Sequence, residues 1–372
     1  MAEREPLRVW HVDSGRRPGG GQIQISCLLK GLTQRGVACG LVCPPGSPLD
    51  RLALPANVPI THLGLRAEWD LWSAWHLKRL IRSYDPEILH AHDARAHTLC
   101  LLARYPGQRL IVHRRVSFPI RRHPLTAWKY GTRVDHFVAV AGCVRDQLLR
   151  VGVPKEKISV IHSAVDVSRL AGDQSEIESL RAELGLAKEA TVIGSVGRLT
   201  KEKRHDWLLE SLMPVLRDWP LARVVLVGAG PERSRLEHRV AQLGIGQQVV
   251  FAGYREDACR LLPLFNVFVL CSESEGYPVS LVEAMAAGCA VVCTDVGGTR
   301  EIVTPGHDGI LVSVHDPVAF REAVGGLLKD PNRRVALGHA ARQSAHKHSG
   351  TEMMVDSVFD LYNHLRARSV CE

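Results

Sequence analysis

The stretch Glu275-Gly276-Tyr277-Pro278-Val279-Ser280-Leu281-Val282-Glu283-Ala284-Met285-Ala286-Ala287-Gly288 follows a short apolar run at 267–271. That run is rich in Val and Leu and reads as a buried strand. The stretch after it changes period. Val279, Val282, Met285 and Ala286 recur at helical spacing, and Pro278 suits the first turn of a helix. Strand, loop and helix in that order open a βαβ unit. Glu275 then lies in the loop at the strand's C-terminal end, and Glu283 lies on the helix. Two carboxylates so placed can act on two parts of one ligand. A carboxylate accepts from vicinal hydroxyls, as the ribose-binding acid does in dinucleotide folds.

The same alternation extends in both directions. Strands are expected at 7–12, 38–43, 88–91, 110–113, 136–140 and 158–161, then at 191–197, 223–227, 249–252, 267–271, 290–294 and 309–312. Amphipathic segments of ten or more residues separate most of them. This implies two α/β domains with parallel, doubly wound sheets. The polar stretch at 166–189 carries no strand pattern and marks the boundary. The expected division is 1–170 and 171–350, with a C-terminal helix at about 351–372 crossing back to the first domain.

The chain of 372 residues has 45% hydrophobic and 23% charged residues, which excludes a disordered tail, a collagen-like fibre and a small disulfide scaffold. Its longest apolar stretch, 261–271, is too short to span a bilayer, which takes about 20 residues. The N-terminus has Glu3 and Glu5 and no apolar core of a signal peptide, so the expected compartment is cytoplasmic. Residues 1–170 hold 25 Lys+Arg against 13 Asp+Glu, whereas residues 171–372 hold 22 against 26. An anionic partner is therefore expected for the first half only. Cys39, Cys43, Cys289 and Cys293 lie in strand-like runs and read as reduced, buried side chains rather than zinc ligands.

Two further loops sit at strand ends. Gly19, Gly20 and Gly21 follow the first strand and lead into a helical pattern. They suit either an oxyanion at a helix N-terminus or a tight βα turn. Gly197 and Arg198 open the loop after the first strand of the second half, and Lys203 closes it. Arg198 and Lys203 suit either a diphosphate clamp or a solvated basic loop.

With the 275–288 stretch in place, the second half resembles the donor domain of the family 4 retaining glycosyltransferases, which have the GT-B fold. The matching segments are GRLTKEK at 197–203, VGAGPE at 227–232, FAGYRED at 251–257, EGYPVSLVEAMAAG at 275–288 and DVGGTREIV at 295–303. The first half resembles the acceptor domain through GGGQ at 19–22, ILHAHD at 88–93, IVHRRVSFP at 111–119 and DHFVAVAGCVRDQL at 135–148. The resemblance implies two Rossmann-like domains facing across a cleft. It also implies transfer of a sugar from a UDP, GDP or ADP sugar to a glycan or glycolipid acceptor, with retention and without a metal or other cofactor. In such a transfer the departing phosphate oxygen takes the acceptor proton, and no protein nucleophile is needed.

Carried over by position, Arg198 and Lys203 bind the diphosphate. Glu275 takes hydroxyls of the transferred sugar, with the backbone of Gly276 and Tyr277 beside it. Glu283 takes the ribose hydroxyls. Tyr254 and Arg255 flank the base. Gly19, Gly20 and Gly21 close over the phosphates, with Gly197 on the donor side. His113 sits near the transferred sugar as a hydrogen-bond partner, and His92 and Asp93 lie toward the acceptor. The chain departs from the family at Ser163-Ala164-Val165-Asp166, where Asn-Gly-Val-Asp is usual, and at Asn266, where Asp is usual.

Arg114, Arg115, Arg121, Arg122, Lys129 and Arg133 form a basic cluster with Phe118, Pro119, Trp128 and Tyr130 interleaved. The mixture suits an anionic membrane surface or a phosphorylated glycolipid, and a peripheral place on the inner membrane face. No pattern of a nucleic-acid-binding module accompanies it. Trp69, Trp72 and Trp75 recur on one stretch of helix, where packing on one face is the expected role. The HRRV and HAHD segments resemble those of bacterial members that build surface polysaccharide or lipopolysaccharide core. Two rivals stand beside transfer: a nucleotide-sugar epimerase or hydrolase on the same fold, and a non-catalytic nucleotide-sugar scaffold.

Overall fold

The structure, a computed structural model, describes residues 5–368 apart from 53, 122, 132, 171, 172 and 349. The chain forms two compact units, Met1–Ala164 with Thr351–Glu372, and Val165–Gly350.

The first unit holds β1 (Arg8–Val12), β2 (Ala38–Cys43), β3 (Ile60–His62), β4 (Ile88–Ala91), β5 (Arg109–Arg114), β6 (His136–Ala139) and β7 (Ile158–Val160). They pair in parallel in the order β3-β2-β1-β4-β5-β6-β7. The second unit holds β8 (Thr191–Val196), β9 (Ala222–Val227), β10 (Val249–Gly253), β11 (Val267–Leu270), β12 (Ala290–Thr294) and β13 (Ile310–Val312), in the order β10-β9-β8-β11-β12-β13. Both are doubly wound. Helices cover both faces of such sheets, so the central strands read as unbroken apolar runs. Strand β3 is absent from the sequence expectation. It has three residues, Ile-Thr-His, at the sheet edge with two of them exposed, and so carries no alternation to read.

Strand order reverses once in each sheet, between β1 and β4 and between β8 and β11. Loops leaving such neighbours run in opposite directions and open a crevice at the C-terminal edge, where ligands bind in folds of this kind.

The helix Thr351–Arg368 belongs to the first unit. Its Met354, Val355, Val358, Leu361, Tyr362 and Leu365 share one core with Ile25, Leu28, Leu29 and Leu32 of the helix Gly20–Gln34. Each such side chain stabilises the fold by about 1.5–3 kcal/mol when fully buried. Tyr362 also carries its hydroxyl to 2.6 Å from His90 Nδ1. Tyr362→Phe removes that partner from a buried imidazole and should destabilise the protein by about 1–3 kcal/mol, seen as a lower urea midpoint at unchanged slope.

The departures from the family motif have plain structural answers. The Asn266 side-chain oxygen accepts from the Val192 amide at 2.8 Å, and the Asn266 amide donates to the Val192 carbonyl at 2.9 Å. The asparagine thus ties the start of β11 to β8. Ala164 exchanges two hydrogen bonds with the Gln24 side chain, at 2.6 and 2.7 Å. Its φ is not positive, so the position does not demand the glycine that is missing there.

Candidate active site

In the second unit the site grows from the ends of β8 and β11, the two strands at the reversal. The loop after β8 contains Gly197 and Arg198 and tightens into a short 3-10 turn, Lys201–Lys203. The loop after β11 lies against it. The Cys271 thiol donates to the Lys203 carbonyl at 3.0 Å, and the Glu273 amide donates to the Glu202 carbonyl at 2.8 Å. These two bonds fix Lys203 relative to Glu275. Lys203 Nζ stands 2.5 Å from Glu275 Oε1, and the Ser272 hydroxyl donates to the same oxygen at 2.5 Å. Both members of the pair are largely buried. The Lys203 stem runs 3.9 Å from where a side chain on Gly197 would start. Arg198, by contrast, is 60% exposed and meets the carboxylate of Glu202 at 3.5 Å.

Two glycines that carried no assigned role hold this geometry. At Gly228 (φ +144°) a Cβ would stand 1.9 Å from the Gly197 carbonyl oxygen. At Gly297 (φ +54°) it would stand 1.8 Å from the Glu275 carbonyl oxygen. The VGAGPE and DVGGTREIV segments thus act as backbone walls against the loops that carry Lys203 and Glu275.

Glu283 lies on the helix Val279–Ala286. Burial pushes its carboxyl up to about 7, against the pull of Arg169. The folded state therefore holds a proton there that the unfolded chain loses at the ordinary carboxylate value. Its contribution to stability falls as pH rises from about 4.5 to about 7. Gly276 and Tyr277 are buried beside Glu275, and Tyr254 is half exposed. Arg255 is bound by Asp257 at 2.8 Å and by Glu183, so its guanidinium is already committed within the unit.

In the first unit the side chains follow β1, β4 and β5. Gly19 caps the helix Gly20–Gln34 with extended backbone and no side-chain bond, and Gly20 is exposed and Gly21 half-buried. Asp93 does structural duty. Its Oδ1 accepts from the Arg95 and Ala96 amides at 2.8 and 3.0 Å, which caps the helix Ala94–Ala103, and from the Ser14 hydroxyl at 2.7 Å. Its Oδ2 accepts from the Ser14 amide at 2.6 Å. Sequence reasoning passed over Asp13. Burial and the neighbouring Asp93 raise its carboxyl to about 6, while Gln22 and Gly15 donate to it. It also passed over His11 and His90, which join His92 and His113 in a buried group. The signal was available in the His-x-His at 90–92, since residues two apart on a strand share a face.

The basic cluster is not one solvated face. Arg114 donates to the Tyr130 hydroxyl at 3.0 Å and to the Phe118 carbonyl at 2.7 Å. Arg115 turns inward to His92 and His113. Lys129 is buried, paired with Glu68 and donating to the Ala94 carbonyl at 2.7 Å. Arg121 is exposed, and Arg122 lies outside the described residues. The tryptophan expectation is also corrected. Trp69, Trp72 and Trp75 are 46%, 64% and 52% exposed, because Ser73, Ala74, Leu77 and Ile81 supply the buried face of the helix Leu71–Tyr84. Arg79 lies over the Trp75 ring at 5.0 Å, Arg133 over Trp128 at 6.0 Å, and Trp69 meets Trp128 at 5.8 Å. Aromatic rings and guanidinium groups therefore form a mixed outer surface. Among the described residues no helix is long and apolar enough to cross a membrane.

Two family models match the chain: Glycosyl transferases group 1 over residues 176–344, and Glycosyltransferase Family 4 over residues 18–169. A GDP-mannose-dependent alpha-(1-6)-phosphatidylinositol monomannoside mannosyltransferase of Mycolicibacterium smegmatis is 30% identical over 291 residues, covering 73% of this chain and 75% of that protein. The lipopolysaccharide core biosynthesis glycosyltransferase LpsE of Rhizobium meliloti is 25% identical over 358 residues, covering 95% of this chain and 98% of its own. The chain spans about half, 52%, of the length of a D-inositol 3-phosphate glycosyltransferase of Corynebacterium urealyticum that it matches at 32% identity over 57% of its own residues. The crystal structure of Anabaena HepE in complex with UDP-glucose superposes with a TM-score of 0.85 at 18% identity, covering 96% of this chain and 100% of that one. That likeness is one of fold, two Rossmann-like parallel-sheet domains of the GT-B class. The chain belongs to the group 1 glycosyltransferases of family 4, enzymes of sugar transfer.

Proposed function

We propose that the chain moves a sugar, with retention and without a metal, from a nucleoside diphosphate to a saccharide or lipid-linked acceptor during assembly of a cell-surface polysaccharide or lipopolysaccharide. The observation that carries this reading is the ion pair of Lys203 with the buried Glu275 at the crevice of the second sheet. An ammonium and a carboxylate held together there suit a ligand with an anionic end and a hydroxylated end. Lys203, aided by Arg198, stabilises the diphosphate as charge builds on the leaving oxygen. Fixed cations of this kind act by preorganisation and need no reorganisation during reaction. Glu275 accepts from hydroxyls of the transferred sugar. Glu283 accepts from the ribose. Tyr254 flanks the base, and Arg255 contributes through its backbone, since its side chain is taken by Asp257 and Glu183. From the first unit, Gly19, Gly20 and Gly21 offer an uncapped helix N-terminus to phosphate oxygens, and His113 serves the transferred sugar.

The names of the relatives support a surface-glycan role. One builds lipopolysaccharide core and another mannosylates a phosphatidylinositol glycan. The donor base stays open among UDP, GDP and ADP. One relative depends on GDP-mannose, and Anabaena HepE holds UDP-glucose. The outer surface of Leu71, Trp72, Trp75 and Arg79 suits an anionic lipid headgroup layer, with rings at the interface and cations toward phosphate. On this reading the enzyme is cytoplasmic and works at the inner membrane face.

Thermal shift with UDP, GDP, ADP and their sugars, with and without EDTA, tests the reading. One nucleotide at 100 times its dissociation constant should add about 2.7 kcal/mol. Loss of that shift in Lys203→Ala, with none caused by EDTA, is the expected result. No shift with any of them in a folded protein would sink the proposal. A pH dependence follows from Glu283. Only its ionised form accepts from two hydroxyls, so donor KM should fall as pH rises through about 7, the value burial gives its carboxyl. Glu283→Gln should flatten that profile and raise KM about tenfold, the loss of charge-assisted hydrogen bonds.

A further inference from the structure

One face of the first sheet gathers a row of imidazoles, and strand register puts them there. His11 on β1 stands opposite His90 on β4, and His90 opposite Ile111 on β5. His92 lies two residues past His90. His113 and Arg115 lie two and four past Ile111. Alternation places all of them on the same face, toward the C-terminal edge. The rings stack, His11 on His92 at 5.2 Å and His90 on His113 at 5.6 Å. All four imidazoles are buried, and burial with the Arg115 charge beside them holds each far below the ordinary histidine range. They are neutral, so each carries a single ring proton.

Arg115 decides where those protons sit. Its two terminal nitrogens lie 3.3 Å from His92 Nδ1 and 3.4 Å from His113 Nδ1. A guanidinium group donates and cannot accept. Each Nδ1 it meets must therefore offer a lone pair, and the proton of each ring sits on Nε2. His92 Nε2 passes its hydrogen bond on to His11 Nδ1 at 2.9 Å, which puts the proton of His11 on Nε2 as well. His113 Nε2 is buried and has no hydrogen-bond partner among the described residues. The carboxylates of Asp13 and Asp93 support the charge of Arg115.

We propose that Arg115 is a positioning residue that locks His113 in its Nε2–H tautomer, so that this unspent N–H is preset as a hydrogen-bond donor to the sugar being transferred. The second half of the statement rests on the place given to His113 under the proposed function. A donor aimed before the substrate arrives costs nothing to orient during reaction. The cluster has a competing use, since His11, His90 and His92 each offer a nitrogen within 4.8 Å of the others, the reach of a metal site. Arg115 opposes it. Its charge repels a cation, and it leaves His92 Nε2 protonated and unable to ligate.

Long-range proton–nitrogen spectra of the uniformly 15N-labelled protein read histidine tautomers directly. His113 is assigned by the loss of its signals in His113→Gln. The expected result is a protonated Nε2 and a bare Nδ1 for both His113 and His92. Arg115→Met should give mixed tautomers and a kcat about tenfold lower, the effect of one hydrogen bond, with donor KM within about twofold. A parent protein with His113 protonated on Nδ1 overturns the proposal without requiring any variant to fold. So does an Arg115→Met protein that keeps the single Nε2–H tautomer, or zinc that displaces the His92 Nε2 proton. A tautomer that shifts while kcat holds supports the lock and removes His113 from the sugar site instead.

Discussion

Lys203→Ala will lower kcat/KM about 1,000-fold, or about 4 kcal/mol of barrier, in the range seen when a preorganised charge partner of a transition state is removed. The size follows from where the ammonium sits. Lys203 is held by a 3-10 turn whose carbonyls are bonded by Cys271 and, through Glu202, by Glu273. Its charge is fixed in a partly buried crevice, where an effective dielectric of about 20 makes each contact several times stronger than in water. The change also withdraws the cation 2.5 Å from the buried Glu275 carboxylate. Breaking a buried pair by removing one member typically costs about 3–5 kcal/mol of stability. The variant should therefore be both slow and less stable. Arg198→Ala separates the two effects. Arg198 is mostly exposed, and its ion pair with Glu202 is a loose one at 3.5 Å. Its loss should leave the melting temperature within error and still lower turnover about 100-fold, because a charge that the proposed function gives to the diphosphate is gone. Steady-state kinetics beside melting curves for both variants check this. Full turnover in Lys203→Ala would exclude the diphosphate clamp.

Much of the fold was legible because buried parallel strands announce themselves. The run 290–294 reads as a strand, and β12 occupies those residues; 38–43 and β2 agree in the same way. Strand β3 escaped because three edge residues cannot show a period. Legibility fell where a side chain's charge suggested water and tertiary structure gave it a partner. Lys129 and Arg115 look like surface cations in the sequence. One is buried against Glu68, and the other turns its guanidinium to two imidazoles. The reverse error affected Trp69, Trp72 and Trp75. Large apolar residues at helical spacing suggest a core, yet small residues, Ser73 and Ala74, with Leu77 and Ile81, fill the face that packs. Spacing gives the stripe and not which stripe is inward. The candidate site was readable at Glu275 and Lys203 through their loops. The roles of Arg115 and Asp13 were not, because their significance lies in the register of β1, β4 and β5, which no local spacing shows.

Gly297→Ala should lower kcat/KM about 100-fold while leaving the affinity for the free nucleoside diphosphate within about threefold. The Cβ it adds would begin 1.8 Å from the Glu275 carbonyl oxygen and 2.9 Å from the Glu275 carbonyl carbon. No rotamer relieves a clash between a Cβ and backbone, so one of the two loops must move by an ångström or more. The 295–303 loop resists, since Thr299 bonds the Thr294 and Val296 carbonyls at 3.0 and 2.9 Å and closes it on itself. The displacement falls on Glu275, to which the proposed function gives the transferred sugar. A misplacement of about 1 Å at a reacting group can cost about 100-fold. On the proposed assignment Lys203 and Glu283, rather than Glu275, hold the nucleotide, which is why its affinity should persist. The control is Gly306→Ala. Gly306 also has positive φ, +78°, but nothing lies within 4 Å of its would-be Cβ. That change should cost only the left-handed backbone term, about 1 kcal/mol of stability, with activity intact. If Gly297→Ala turned over like the parent, Glu275 could not be the residue that positions the sugar. If it lost nucleotide binding along with turnover, the two carboxylates of the 275–288 stretch would be acting on one end of the donor rather than on both.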